Sequence, residues 1–138
     1  MGKPKIDRVL ASLFLVAAVT SLPLIAVAEV VGPTDAKGTT SRLLGVIDLK
    51  GEIDGMGDRQ LRSRYITIEP GGHTAAHVHE GRPTLEYVAQ GNVIEIRNGV
   101  DTPHGPGEMV VATNGVSHWW ENRGSEIVVL IPIDIFKN

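Results

Sequence analysis

The sequence predicts an all-β fold closed into a small barrel or sandwich, and three observations predict it. Apolar runs of four to eight residues recur from residue 43 onward. Turn-forming residues separate these runs, drawing on 16 Gly and 8 Pro. After the first 28 residues, no segment sustains the 3.6-residue periodicity of an amphipathic helix. Short strands at such even spacing fold as sandwiches or barrels, and 138 residues suit a single domain.

Taken in order, the chain opens with a segment unlike the rest. Residues 1–28 begin with the net-positive MGKPKIDR, continue through an apolar stretch interrupted by Thr20, Ser21 and Pro23, and end in Ala26-Val27-Ala28. This is the layout of a secretory signal peptide, which places the mature chain in a periplasm or outside the cell, starting at Glu29. An uncleaved membrane anchor is the competing reading, because the apolar stretch is nearly long enough to span a bilayer; with cleavage no stable membrane span remains. Without cysteine at the cleavage point the segment is not a lipoprotein leader, and Ile6 breaks the myristoylation pattern. Residues 29–42 read as a polar, flexible lead-in, and residues 43–138 as the barrel domain.

Within that domain, Leu43 to Leu49 and Gln60 to Ile68 read as the first two strands, with Glu69-Pro70-Gly71-Gly72 as a turn. Leu85 to Ala89 and Val93 to Arg97 flank Gln90-Gly91-Asn92 as a hairpin. Glu108 to Ala112, Ser117 to Asn122 and Ile127 to Ile133 complete the set, with turns at Asn114-Gly115 and Arg123-Gly124.

The composition excludes several functions. The chain has no cysteine, so disulfides, thiolate metal sites and a cysteine nucleophile are absent. Of its 13 basic and 16 acidic residues, Lys3, Lys5, Arg8 and Asp7 fall in the first 28, which leaves the remainder with 10 and 15. An acidic domain without a basic patch is not built for nucleic acid. Motifs for a serine hydrolase, an NTPase or dinucleotide binding do not occur.

All five histidines follow residue 72. His77-Val78-His79 matters most, because residues two apart on a strand share a face and can aim two imidazoles at one ion. His118 lies on a later strand that a barrel could bring alongside. Three neutral imidazoles suit Zn, Fe, Ni, Cu or Mn and leave positions open for water or substrate.

These residues carry a resemblance. Gly71, five residues, His77-Val78-His79 and a later Gly91 match the first motif of the cupin superfamily. Gly107, five residues, Thr113-Asn114-Gly115, two residues, His118, three residues and Asn122 match the second, with Thr113 replacing a proline. The chain thus resembles a cupin over residues 40–135. The resemblance implies a jelly-roll β-barrel that binds one divalent transition metal through His77, His79 and His118.

One departure stands out: the family's carboxylate ligand falls at Thr84. Glu86 shares the strand face of Thr84 but sits about 7 Å farther along, so a shift or bulge is expected if it is to reach the ion. Glu86, His73 or no fourth side chain remain the alternatives. An inward Glu86 needs a metal, a proton or an arginine, with Arg62, Arg64 and Arg82 as candidate partners. Trp120 shares the face of His118 and is expected in the pocket, while Trp119 faces outward under a covering segment or in a dimer contact. Arg82, in a turn near the barrel mouth, could bind an anionic substrate, and His73 is a further substrate-binding candidate. Glu95 and Arg97 read as a solvated face, and His104 as exposed in a rigid loop.

Two functions fit: a metal-dependent dioxygenase, isomerase or lyase acting on a small molecule, or a non-catalytic module that holds a metal or small ligand, with homodimerisation common in the resembled family. The fold does not choose between them.

Overall fold

The computed structural model describes residue 2 and residues 31–137; apart from residue 2, the expected signal segment lies outside the described residues. The described residues form nine strands: β1 (Lys37–Asp48), β2 (Arg59–His73), β3 (His77–Val78), β4 (Thr84–Gln90), β5 (Val93–Arg97), β6 (Val100–His104), β7 (Met109–Ala112), β8 (Ser117–Glu121) and β9 (Val128–Lys137). No helix among them is long and apolar enough to cross a membrane.

The strands run in the order β6-β5-β8-β2-β9-β4-β7, with β1 added to β2 and β3 to β8. β2 joins the two halves. Its first part pairs with β9 from Arg59↔Lys137 to Ile68↔Val128, and its end pairs with β8 at His73↔Glu121. One strand serving both halves curls the sheet, so that β4, β9 and β2 face β5 and β8 across a common interior.

Alternation along each strand decides what enters that interior. On β4, Thr84, Glu86 and Val88 are buried while Leu85 and Tyr87 are exposed. The interior is divided along the strand axes. At one end Ile68, Val88, Val93, Val110, Trp120, Val128 and Leu130 pack into an apolar core. At the other, the same strands present His118, Glu86 and Asp134, all buried.

Several boundaries differ from the sequence reading. β1 begins at Lys37, so the lead-in is six residues shorter at its C-terminal side, and β9 extends past Ile133 to Lys137. The Glu69–Gly72 turn is instead a bend inside β2: Gly71 takes φ 71°, and the β1 register shifts between Lys37 and Thr39 to absorb it. β6 was not anticipated, because Pro103 lowers strand propensity; it pairs with β5 alone, and an edge strand tolerates proline. Gly91 behaves as the hairpin requires, with φ 74° and space for no side chain, since a Cβ would stand 2.8 Å from the Ile127 carbonyl oxygen. Half-buried Trp119 faces away from the interior and is covered by the lead-in: Gly32 lies against its ring, and Pro33 accepts a hydrogen bond from Ala76 N–H at 2.8 Å.

Asn122 closes the apolar end. Its amide donates to the carbonyls of Ile68 at 2.8 Å and Glu126 at 2.7 Å, and its Oδ1 accepts from Gly124 N–H at 3.0 Å. Asn122→Ala leaves buried backbone groups without partners, which costs about 1–3 kcal/mol for each one left unsatisfied. Chemical denaturation of the variant is expected to show a loss of at least that size, with unchanged strand content by circular dichroism.

Candidate metal centre

β3 is only two residues long, yet its pairing with β8 sets His77 directly opposite His118. His79 follows on the same side, and Glu86 projects inward from β4. The ligand atoms of His77, His79, Glu86 and His118 lie within 4.8 Å of one another. The Nε2 atoms of His77 and His79 are 3.1 Å apart, and those of His79 and His118 are 2.9 Å apart. Two nitrogens bound at right angles to one ion are separated by about 3 Å, given metal–nitrogen bonds of about 2.1 Å.

The other ring nitrogens explain why the three Nε2 atoms face inward as lone pairs. His77 Nδ1 points at the Ala75 carbonyl at 3.1 Å. His79 Nδ1 meets the Arg82 carbonyl at 3.1 Å and Thr84 Oγ1 at 2.8 Å. Thr84 gives its own proton to the Arg82 carbonyl, so its oxygen is free to accept. His118 Nδ1 meets Glu95 Oε1 at 2.5 Å. Every partner of an Nδ1 is an oxygen acceptor, which assigns the ring proton to Nδ1 and leaves Nε2 unprotonated. Three converging lone pairs repel one another unless a cation lies among them. The donor set therefore fits a divalent transition metal.

Electrostatics keep the His77 and His79 rings neutral. Burial lowers the pKa of His77 and of His79 to about 4, and the neighbouring imidazoles push in the same direction. Burial raises the carboxyl of Glu86, against the opposing pull of His118 and the Trp120 indole. Its Oε1 lies 3.7 Å from the Nε2 atoms of both His79 and His118. Glu95 behaves oppositely. Burial alone would raise it, but hydrogen bonds from His118 and Arg97 bring it down to about 2.

Several expectations need correction. Glu86 reaches the cluster without a bulge, because β4 keeps regular register with β9 from Thr84 to Val88; His79 sits between Thr84 and Glu86, with Nδ1 on the one and Nε2 toward the other. His73 is not among the gathered ligand atoms. It pairs with Glu121 at the end of β2, and its Nδ1 faces the Thr74 carbonyl at 3.3 Å; it does not line the adjoining cavity. The strand face of Glu95 is interior, not solvated. Glu95 is 4 % exposed, and it accepts from Arg97 Nε and Nη2 at 2.8 and 2.6 Å. His104 is mostly buried on β6, with Nε2 3.4 Å from Glu95 Oε2. Arg62, Arg64 and Arg82 all contact Asp134, which the sequence did not single out.

Beside the cluster lies a cavity of about 310 Å³, lined in part by His77, Glu86, Trp120, Arg64 and Arg82. Trp120 is where its strand face placed it, with its ring 5.5 Å from that of His118.

Fold and site together define a small β-barrel with a histidine-rich interior centre. The cupin domain model matches residues 64–136, and the chain belongs to that family. No curated protein matches it. Among solved structures it is similar to one described as a predicted oxalate decarboxylase from Thermotoga maritima, at 22 % identity and TM-score 0.61, covering 75 % of this chain and 86 % of the other. A cupin-superfamily sugar phosphate isomerase from Silicibacter pomeroyi aligns at 17 % identity and TM-score 0.56, over 72 % of this chain but only 60 % of its own length. The cupin domain of a transcriptional regulator from Enterobacter cloacae aligns at 13 % identity and TM-score 0.57, over 74 % of this chain and all of the other. At these identities the likeness is one of fold.

Glu95 holds the His118 ring in the tautomer that a metal requires. Carboxylate partners of this kind contribute about 10–100-fold to metal affinity. Glu95→Gln is expected to weaken metal binding within that range by competition with a chromophoric chelator, while Glu108→Gln, on the exposed rim, leaves it unchanged.

Proposed function

We propose that this protein is an exported, metal-dependent cupin enzyme that binds a small organic molecule in the cavity beside His77, His79, Glu86 and His118. The observation that carries the reading is the outward anchoring of all three Nδ1 protons, which turns three Nε2 lone pairs toward one point next to an accessible cavity. His77, His79 and His118 would hold the ion, with Glu86 as the fourth group. A bound Fe, Mn, Ni, Cu or Zn ion supplies Lewis acidity toward a substrate oxygen. The chain's own groups supply the rest. Trp120 walls the cavity with an apolar face. Glu86, whose carboxyl burial holds above the ordinary range, also lines the cavity, so the acid and the ion share one wall with the substrate. The export reading rests on the residue 1–28 pattern. A second copy of the chain is the proposed protein partner, supported by exposed Leu43, Leu44, Val46 and Ile47 on β1.

Protein purified from its native host is expected to carry close to one equivalent of a single transition metal by elemental analysis. His77→Ala and His118→Ala are expected to lose most of it while staying folded. Wild-type protein that binds no transition metal under any preparation overturns the reading, and a metal-loaded protein that turns over no small molecule leaves the non-catalytic binding module in its place. Cell fractionation with N-terminal sequencing is expected to find the chain outside the cytoplasm, beginning at Glu29; an intact N-terminus in the cytoplasm refutes export.

A further inference from the structure

The cavity beside the histidines has one strongly basic wall, and its charge is not balanced by the protein. Arg62, Arg64 and Arg82 all reach Asp134, which is 1 % exposed. Arg62 takes both oxygens, Nε to Oδ1 at 3.0 Å and Nη2 to Oδ2 at 2.8 Å, while its guanidinium stacks on Phe136 at 4.0 Å. That fork-on-fork pair takes one lone pair on each carboxylate oxygen in good geometry. What remains for the other two is long: Arg64 Nη2 at 3.5 Å and Arg82 Nη1 at 3.4 Å, both to the same Oδ2.

Arg64 is the residue out of balance. A guanidinium carries five N–H donors, and among the described residues this one makes only that single long bond. Its Nε is buried and has no acceptor at all. Buried donors without partners are uncommon and call for an explanation. The nearby carboxylate, Glu86, is committed to the imidazole cluster. Arg64 shares the strand face of buried Ile68 and of Ile66, which packs against the core, and with Arg82 it lines the cavity that His77 also lines. Hydroxyl-bearing Thr39, Ser41 and Thr74 line the same space. If the three arginines were purely structural, Asp134 would satisfy them, and it does so only for Arg62.

We propose that Arg64, assisted by Arg82, is the carboxylate-recognition group of this cavity, and that its ligand is a small organic carboxylate. One end of that ligand lies on the guanidiniums and the other reaches toward the histidine cluster. The cavity volume of about 310 Å³ is at the small end for ligand pockets, which matches a compact acid and not an extended one. The inference rests on the function proposed above for the site, but Arg64 belongs to the protein whether or not an ion is bound.

The test is calorimetric titration of folded, chelator-treated protein with succinate and with its neutral diamide, succinamide, repeated on metal-loaded protein. Succinate is expected to bind saturably to both forms, and succinamide to neither. Arg64→Met is expected to weaken succinate binding at least tenfold, and Arg64→Lys, which keeps the charge but not the fork, by a smaller factor. Equal binding of acid and diamide, no saturable binding of succinate in the millimolar range, or an unchanged affinity in Arg64→Met each overturn the proposal. If the Arg64 variants do not fold, the comparison of acid with diamide on the wild-type chain decides alone. Loss of the metal reading appears in the ion content and loss of this one in the acid titration, so the two failures are told apart.

Discussion

Everything at the centre depends on where three imidazole protons are kept. A histidine ring has two nitrogens, and only one can present a lone pair to an ion while the other carries hydrogen. Here the hydrogen is held on the outer nitrogen of each ring by a different oxygen: a backbone carbonyl for His77, a carbonyl and a threonine hydroxyl for His79, and a buried carboxylate for His118. Burial then keeps His77 and His79 from charging. The inward-facing set is the outcome of these anchors and not a property of the histidines alone.

The barrel's division into an apolar and a polar end makes this affordable in physical terms. Ile68, Val88 and Leu130 exclude water from one half, while Glu86, Thr84 and Asp134 on the same strands face the other. Each buried polar group on that side has a named partner, with Arg64 Nε and His104 Nε2 as exceptions. The Glu95 carboxylate is shared between His118 and Arg97, and Arg97 in turn donates to the Val111 carbonyl on β7 at 3.1 Å. The centre is thereby linked to the strand beyond the hairpin as well as to its own walls.

The histidines were legible because a strand has a period of two, which pairs His77 with His79, and because the resemblance of both motifs to those of the cupins implies His118 as their partner. Glu86 was legible only as an alternative, since strand spacing separates it from Thr84 but says nothing of His79 lying between them. Glu95 was misread for a physical reason. Ile94 and Ile96 look like the inner face, and a charged pair two residues apart ordinarily faces water. Its partner His118 is 23 residues away, and Arg62 and Asp134 are separated by 72. Spacing within one strand carries no information about such pairings. β6 was missed because proline is scored as a breaker, although edge position removes the objection.

The shortness of β3 has a consequence for heat and time. His77 and Val78 are its whole length, paired to His118 and Ser117, with the ladder continued only by His79 and the turn before β8. So brief a ladder is among the first pieces of a fold to open locally. It also carries a ring whose partners sit on β8 and β4, so an ion gripped in common would clip this short strand to two longer ones. By mass action such a clip strengthens the native state in proportion to how far the free ion exceeds its dissociation constant. The endurance of this barrel then becomes a property of its surroundings, rising where the ion is plentiful and falling where it is scarce.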